Sequence, residues 1–138
     1  MLKEPIETKH KGSIALFKFC TRAAEKGYIV SFPGTECRYD AILDDGNKLW
    51  RVQVKYTSKR ESKVSYSVDL RRKTRSALSK TRTYSPDEVD CIVIYIAPLD
   101  ELVWLPPKEF NDKTAVSIRF ADSNNKPKNA NLLMKLEW

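Results

Sequence analysis

The chain has 138 residues, enough for one domain with a modest core. Apolar residues make up 41% and charged residues 31%, an ordinary globular balance. No stretch approaches the roughly 18 apolar residues that a bilayer span needs, and Met1–Pro5 lacks the apolar core of a secretory signal.

Cysteine and histidine usage narrows the chemistry. Cys20, Cys37 and Cys91 are an odd number with no C-x-x-C spacing. Reduced thiols and a cytoplasmic location are the expectation. His10 is the lone histidine, so with no C-x-x-C pair a structural zinc site is not expected, and any histidine-based catalysis would rest on that residue. The net charge of +7 is concentrated. Between Lys59 and Arg82 lie nine basic residues, namely Lys59, Arg60, Lys63, Arg71, Arg72, Lys73, Arg75, Lys80 and Arg82. Only Glu61 and Asp69 oppose them, so this segment, under a fifth of the chain, carries the whole excess. A solvated loop is one reading of such a run. Its strict localisation favours a phosphate-binding surface.

Residues 1–10 lack periodicity and read as an arm. From Gly12 to Lys26 apolar residues recur at helical spacing, and Gly27 stops the helix. Tyr28 to Phe32 is β-branched and aromatic, a strand closed by Pro33-Gly34. Arg38 to Asp44 is a further strand, and Asp44-Asp45-Gly46-Asn47 a hairpin turn. Lys48 to Thr57 alternates, with Trp50, Val52, Val54 and Tyr56 on one face and Leu49, Arg51, Gln53 and Lys55 on the other. An antiparallel hairpin turning at Gly46–Asn47 sets Asp40 opposite Gln53, within one residue.

Val64 to Val68 reads as a more exposed strand, and the basic, Ser/Thr-rich residues 70–86 as a long loop, with room for a short helix. Ser85-Pro86-Asp87-Glu88 reads as a capped helix start, not as a metal site. Cys91 to Ile96 is a buried strand. Glu101 to Leu105 pairs with it across Ala97–Asp100, and Pro106-Pro107 closes that hairpin. Lys108 to Phe110 reads as a helical turn, Ala115 to Phe120 as a strand, and 124–129 as a polar loop before an apolar tail. Trp50, Trp104 and Tyr95 read as core. One helix followed by strands with irregular insertions indicates an α/β or mixed α+β fold in a single domain, 1–138.

Asp40, Gln53 and Lys55 each interrupt an apolar strand, and the hairpin converges them. Solvent-facing strand positions often carry such residues. Together, however, they suit one task. Asp40 supplies a hard oxygen for a divalent cation. Gln53 adds an amide oxygen, and the Val54 backbone carbonyl lies between Gln53 and Lys55 as a further ligand. Lys55 can stabilise charge at a phosphoryl group or orient a water. Such a set fits metal-assisted phosphodiester hydrolysis.

Tyr39-Asp40 followed by Gln53-Val54-Lys55 resembles the PD-(D/E)XK nuclease superfamily. The surrounding blocks are similar too: Lys11 to Ala15, Lys26 to Pro33, Tyr84 to Asp90, Trp104 to Pro106 and Val116 to Phe120. They resemble the branch containing bacterial group I intron-encoded homing endonucleases, over roughly residues 9 to 121. The resemblance implies a restriction-endonuclease-like core, a central mixed sheet with an N-terminal helix packed on it. It also implies Mg2+ or another divalent cation, double-stranded DNA as substrate, and a homo-oligomer, a dimer or tetramer. No membrane and no small-molecule cofactor are implied.

The sequence departs from that pattern twice. Gln53 stands where the family usually has Asp or Glu, which removes one negative charge from the metal's surroundings. The family's first-helix Glu has no counterpart among Ser13, Ile14, Ala15 and Leu16; Glu7 and Ser13 are the replacements at hand. Two alternatives stand beside a site-specific endonuclease: a Holliday-junction-type resolvase, which uses the same fold and chemistry on branched DNA, and a catalytically silent nuclease-fold DNA-binding protein, which the missing helix acid favours.

The basic segment 59–82 is expected to read DNA, with Lys63 to Leu70 and the following arginines entering a groove. The candidate contacts are Lys59, Arg60, Lys63, Arg71, Arg72, Lys73, Arg75 and Arg82. On this reading, neutralising Arg71, Arg72 and Arg75 together weakens duplex binding and flattens the slope of log affinity against log salt by about 3. An unchanged slope in a salt titration removes the patch from the interface.

Overall fold

The structure, a computed structural model, describes residues 7–71, 82–120 and 138. The arm residues 1–6, Arg72, Lys73, Arg75 and Lys80, the 124–129 loop and the tail up to 137 lie outside the described residues.

Helix α1 (Thr8–Glu25) starts four residues before the expected Gly12. Gly27, at φ 78°, closes it: its N–H reaches the Ala24 carbonyl at 2.9 Å, and the Tyr28 N–H reaches that of Ala23 at 2.9 Å. Only a left-handed residue lets two N–H groups fold back onto the last turn. Strands β1 (Ile29–Ser31), β2 (Ala41–Asp44) and β3 (Leu49–Thr57) follow as an antiparallel run. The β2–β3 turn falls where expected. Asp44 and Asp45 carboxylates accept the N–H groups of Gly46, Asn47 and Lys48, and Gly46 sits at φ 88°.

Strands β6 (Cys91–Ile96) and β7 (Glu101–Leu105) complete this sheet in the order β1-β2-β3-β6-β7. A 3-10 turn at Ala97–Leu99 joins them. β3 and β6 run parallel, with Val52 beside Cys91 and Thr57 beside Ile96. The sheet is therefore mixed, and α1 packs on one of its faces. This is the central mixed sheet with an N-terminal helix packed on it that the resemblance implied. A second, antiparallel sheet joins β4 (Arg60–Ser62), β5 (Ser65–Asp69) and β8 (Ala115–Arg119) in the order β4-β5-β8. Helix α2 is a single turn, Pro107–Phe110.

β6 explains the layering. All six of its residues are buried, so it shows no alternation. Cys91, Val93 and Tyr95 join Ala15, Phe19, Ala23, Val52 and Val54 in the core beneath α1. Ile92, Ile94 and Ile96 join Tyr66, Val68, Phe110 and Ile118 in a core between the two sheets. Trp50 and Trp104 are partly buried and pack edge to face against the first core, centroids 5.4 Å apart, while Tyr95 lies within it. Trp138 stacks on Phe19 at 5.2 Å there.

Three expectations change. Ser85 to Glu88 forms one turn, not a helix. The Ser85 hydroxyl does accept the Asp87 N–H at 3.2 Å, but the chain must enter β6 at Cys91 and has no room for more turns. The strand expected from Arg38 begins at Ala41. The strand expected to be more exposed, Val64 to Val68, is largely buried: Ser65, Tyr66 and Val68 are buried, and Ser65 is hydrogen-bonded to the Ser62 hydroxyl at 2.7 Å.

The layering carries a stability prediction. Ile94→Ala empties a fully buried position between the sheets and is expected to cost about 2–5 kcal/mol. Leu49→Ala, at a 63% exposed position, is expected to stay within about 0.5 kcal/mol. Urea unfolding curves check both; equal midpoints for the two variants contradict the two-core arrangement.

Candidate active site

Asp40 stands one residue before β2, where β2 and β3 part. Ala41 is registered with Val52, and the Asp40 N–H also reaches the Val52 carbonyl, at 2.8 Å. Two residues thus oppose one, the arrangement of a β-bulge, which re-aims the first side chain. The Asp40 carboxylate then runs along β3 and accepts the Val54 N–H at 2.9 Å through Oδ2. The carboxylate replaces the backbone partner that β2 does not extend far enough to supply. The expected pairing of Asp40 with Gln53 holds within the one-residue margin.

The N–H and C=O of one strand residue point the same way. The Val54 carbonyl therefore faces the gap beyond β2, on the side where Asp40 lies. Val52 and Val54 face α1, so Gln53 and Lys55, one residue out of phase, occupy the opposite face. Asp40, Gln53 and Lys55 are all half-buried. The donors at this strand end are a carboxylate, a peptide carbonyl and an amide, hard oxygens of the kind that Mg2+ takes. They fit such an ion. Among the described residues no group of three or more His, Cys, Asp or Glu is placed to bind a metal. An ion held by Asp40 and Val54 would draw its remaining ligands from water and phosphate, as Mg2+ commonly does.

Lys55 lies with its Nζ 4.9 Å from the centroid of the Tyr84 ring. It is also within electrostatic reach of Asp69, at the end of β5. Asp69 is bound by Arg71 through both guanidinium and backbone N–H groups, at 2.9–3.0 Å. Those bonds first, and the charges of Arg71 and Lys55 after them, hold the Asp69 carboxyl at about 2 despite partial burial.

Arg51 shares the face of Gln53 and Lys55, yet it is a clasp. Its guanidinium binds both oxygens of Asp90 at 3.1 Å and the Asp87 carbonyl at 2.7 Å. Arg38 holds the other end of the same loop, donating to Glu88 at 2.8 Å and to the Thr83 carbonyl at 2.6 Å. Glu88 and Asp90 are thus ion-paired. The sequence reading missed both arginines and Tyr84. The signal for Arg51 was its place two residues before Gln53 opposite an acidic segment. Tyr84 gave no local signal.

The other candidates are spread along the continuation of β3. Lys59 and Lys63 are exposed on the β4–β5 hairpin, which is tied to β3 by the Thr57 hydroxyl on the Ser67 carbonyl at 2.6 Å. Arg71 and Arg82 are exposed too. Arg60 donates to the Ser62 and Lys63 carbonyls, with its guanidinium 5.3 Å from the Phe120 ring. Glu7 is exposed at the N-cap of α1 and makes no side-chain capping bond. Ser13 is exposed and turns its hydroxyl back to the Lys9 carbonyl at 3.2 Å.

A sequence model of the PD-(D/E)XK endonuclease family matches residues 6–137, and the chain belongs to that family. Among solved structures it is similar to I-Ssp6803I, described as a bacterial homing endonuclease. The TM-score is 0.76 at 27% identity, over 96% of this chain and 89% of that one. No curated protein sequence matches this chain.

The Asp69–Arg71 pair carries a titration prediction. A carboxyl with a lowered pKa adds stability above its unfolded value near 3.9 and loses it as pH falls toward the folded one. Carboxyl NMR is expected to show Asp69 titrating at about 2. Arg71→Ala is expected to return it toward about 3.9. A parent midpoint already near 4 contradicts the pairing.

Proposed function

We propose that this chain is a metal-dependent endonuclease that cuts double-stranded DNA at specific sites, in the manner of homing or restriction enzymes. Its membership of an endonuclease family and its likeness to a homing endonuclease support nuclease chemistry. One observation carries the assignment of the site: Asp40 turned along β3 onto the Val54 N–H, with Lys55 next along the same strand.

In this reading Asp40 and the Val54 carbonyl hold Mg2+ or another divalent cation, and the Gln53 amide oxygen stands beside them. The bound cation supplies an acidified water and neutralises phosphate charge. Asp40 also fixes the Val54 peptide, so the carboxylate and carbonyl are oriented before DNA arrives. The Lys55 ammonium faces the scissile phosphate and stabilises charge that builds on its oxygens. Gln53 is neutral where the family's usual residue is an acid, so only Asp40 offsets the ion's charge among the three.

Lys59, Lys63 and Arg71 grip the phosphate backbone from the hairpin that grows out of β3, with Arg60, Arg72, Lys73, Arg75 and Arg82 beside them. One domain offers one site, so cutting both strands calls for two copies, and a twofold pair matches a nearly palindromic target. A tetramer is two such pairs.

With Mg2+ and a duplex library, the parent chain is expected to cut and Asp40→Ala and Lys55→Ala to lose at least about a hundredfold in rate. Binding to duplex without metal is expected to survive in both. A parent chain that binds but never cuts is the silent DNA-binding protein instead. Preference for a four-way junction by orders of magnitude makes it a junction resolvase.

A further inference from the structure

We infer that Tyr84 is a positioning residue for Lys55, its ring holding the ammonium where the phosphate will arrive; this rests on the nuclease reading of Lys55. The ring is 3% exposed and belongs to the core between the two sheets. Lys55 Nζ lies 4.9 Å from its centroid, inside the range of a cation–π contact. The chain separation is 29 residues, so the contact is made by the fold and not by local sequence.

The ring is held on both sides of its loop. Arg38 binds the carbonyl of Thr83, the residue before Tyr84, and its own guanidinium carbon lies 4.9 Å from the same ring centroid. Further along, Glu88 is bound by Arg38 and Asp90 by Arg51. Arg51 departs from β3 only four residues before Lys55. The strand that carries the lysine therefore also anchors the loop that carries the ring.

A lysine has a flexible four-carbon stem, and ordering it on a phosphate costs rotamer freedom. A ring that already confines the ammonium removes that cost before DNA binds. The consequence is directional. Losing the ring slows the chemical step while the affinity for DNA, set by the basic hairpin, stays. A purely structural role for Tyr84 would instead lower stability and leave the cleavage rate of the folded fraction unchanged.

Two readouts on the folded chain test this. In carbon-resolved proton spectra without DNA, the Lys55 ε protons are expected upfield of the position of a lysine with no ring beside it; Lys48, over the Trp50 ring at 3.9 Å, gives an internal example of such a shift. Tyr84→Phe keeps that shift and Tyr84→Leu loses it; Tyr84→Met serves if the leucine variant does not fold. In single-turnover cleavage with Mg2+, Y84L is expected to fall about tenfold in rate, with duplex affinity within about twofold. Y84F is expected to recover most of the rate.

Unshifted Lys55 protons in the parent, or Y84L cutting as fast as the parent, overturn the role of Tyr84. So does Y84F as slow as Y84L, which would assign the effect to the hydroxyl. A parent chain that cuts no DNA overturns the nuclease reading itself, and with it this role.

Discussion

The architecture of the site turns on one hydrogen bond, from the Val54 N–H to the Asp40 carboxylate. β2 ends its pairing with β3 at Ala41, and a buried N–H without a partner is costly. The strand cannot simply stop. A side chain from the residue just before β2 closes the ladder, and only a short carboxylate or amide there can do so. This places an acid against the peptide whose carbonyl faces the same gap. In the proposed mechanism, the fold's need to satisfy a backbone group and the cation's need for two oxygens at one point are met by the same residue.

The rest of the molecule keeps that strand end fixed. β3 is buttressed on one side by β2 and on the other by β6, a parallel neighbour buried on both faces. Beneath it, Val52 and Val54 pack on Ala15 and Phe19 of α1. Above it, Arg51 and Arg38 clasp the 83–90 loop. The polar face of β3 is thereby divided: Arg51 serves architecture, while the proposed mechanism uses Gln53 and Lys55. Beyond Thr57 the same chain becomes the β4–β5 hairpin with its exposed lysines, so in the proposed function a few strand residues set the distance between chemistry and grip.

Much of this could be read from the sequence because its signals are local. Alternation over Leu49 to Thr57 and the turn at Asp44–Asn47 were enough to bring Asp40 to Gln53 within one residue. The unbroken apolar run Cys91–Ile96 marked a strand buried on both faces. What could not be read is carried by pairings distant in the chain. Nothing in β3 or β6 announces that they run parallel, because a parallel partner leaves no turn signature between them. The second sheet was hidden likewise, since β5 finds β8 about 50 residues later. Arg38 and Arg51 look like surface charges until Glu88 and Asp90 are placed beside them. Ser85 behaves locally as a cap, yet the entry into β6 allows only one turn.

The replacement of an acid by Gln53 and the absence of an acid at positions 13 to 16 leave Asp40 to carry the metal-binding charge in the proposed mechanism. A co-crystal with duplex DNA and calcium, which occupies oxygen sites without promoting cleavage, tests that most directly. The account predicts one ion at each cut strand, bound by the Asp40 carboxylate and the Val54 carbonyl and touching the scissile phosphate, with Lys55 Nζ on an oxygen of that phosphate. An ion bound away from Asp40, or a phosphate that approaches from the α1 side of β3, contradicts it.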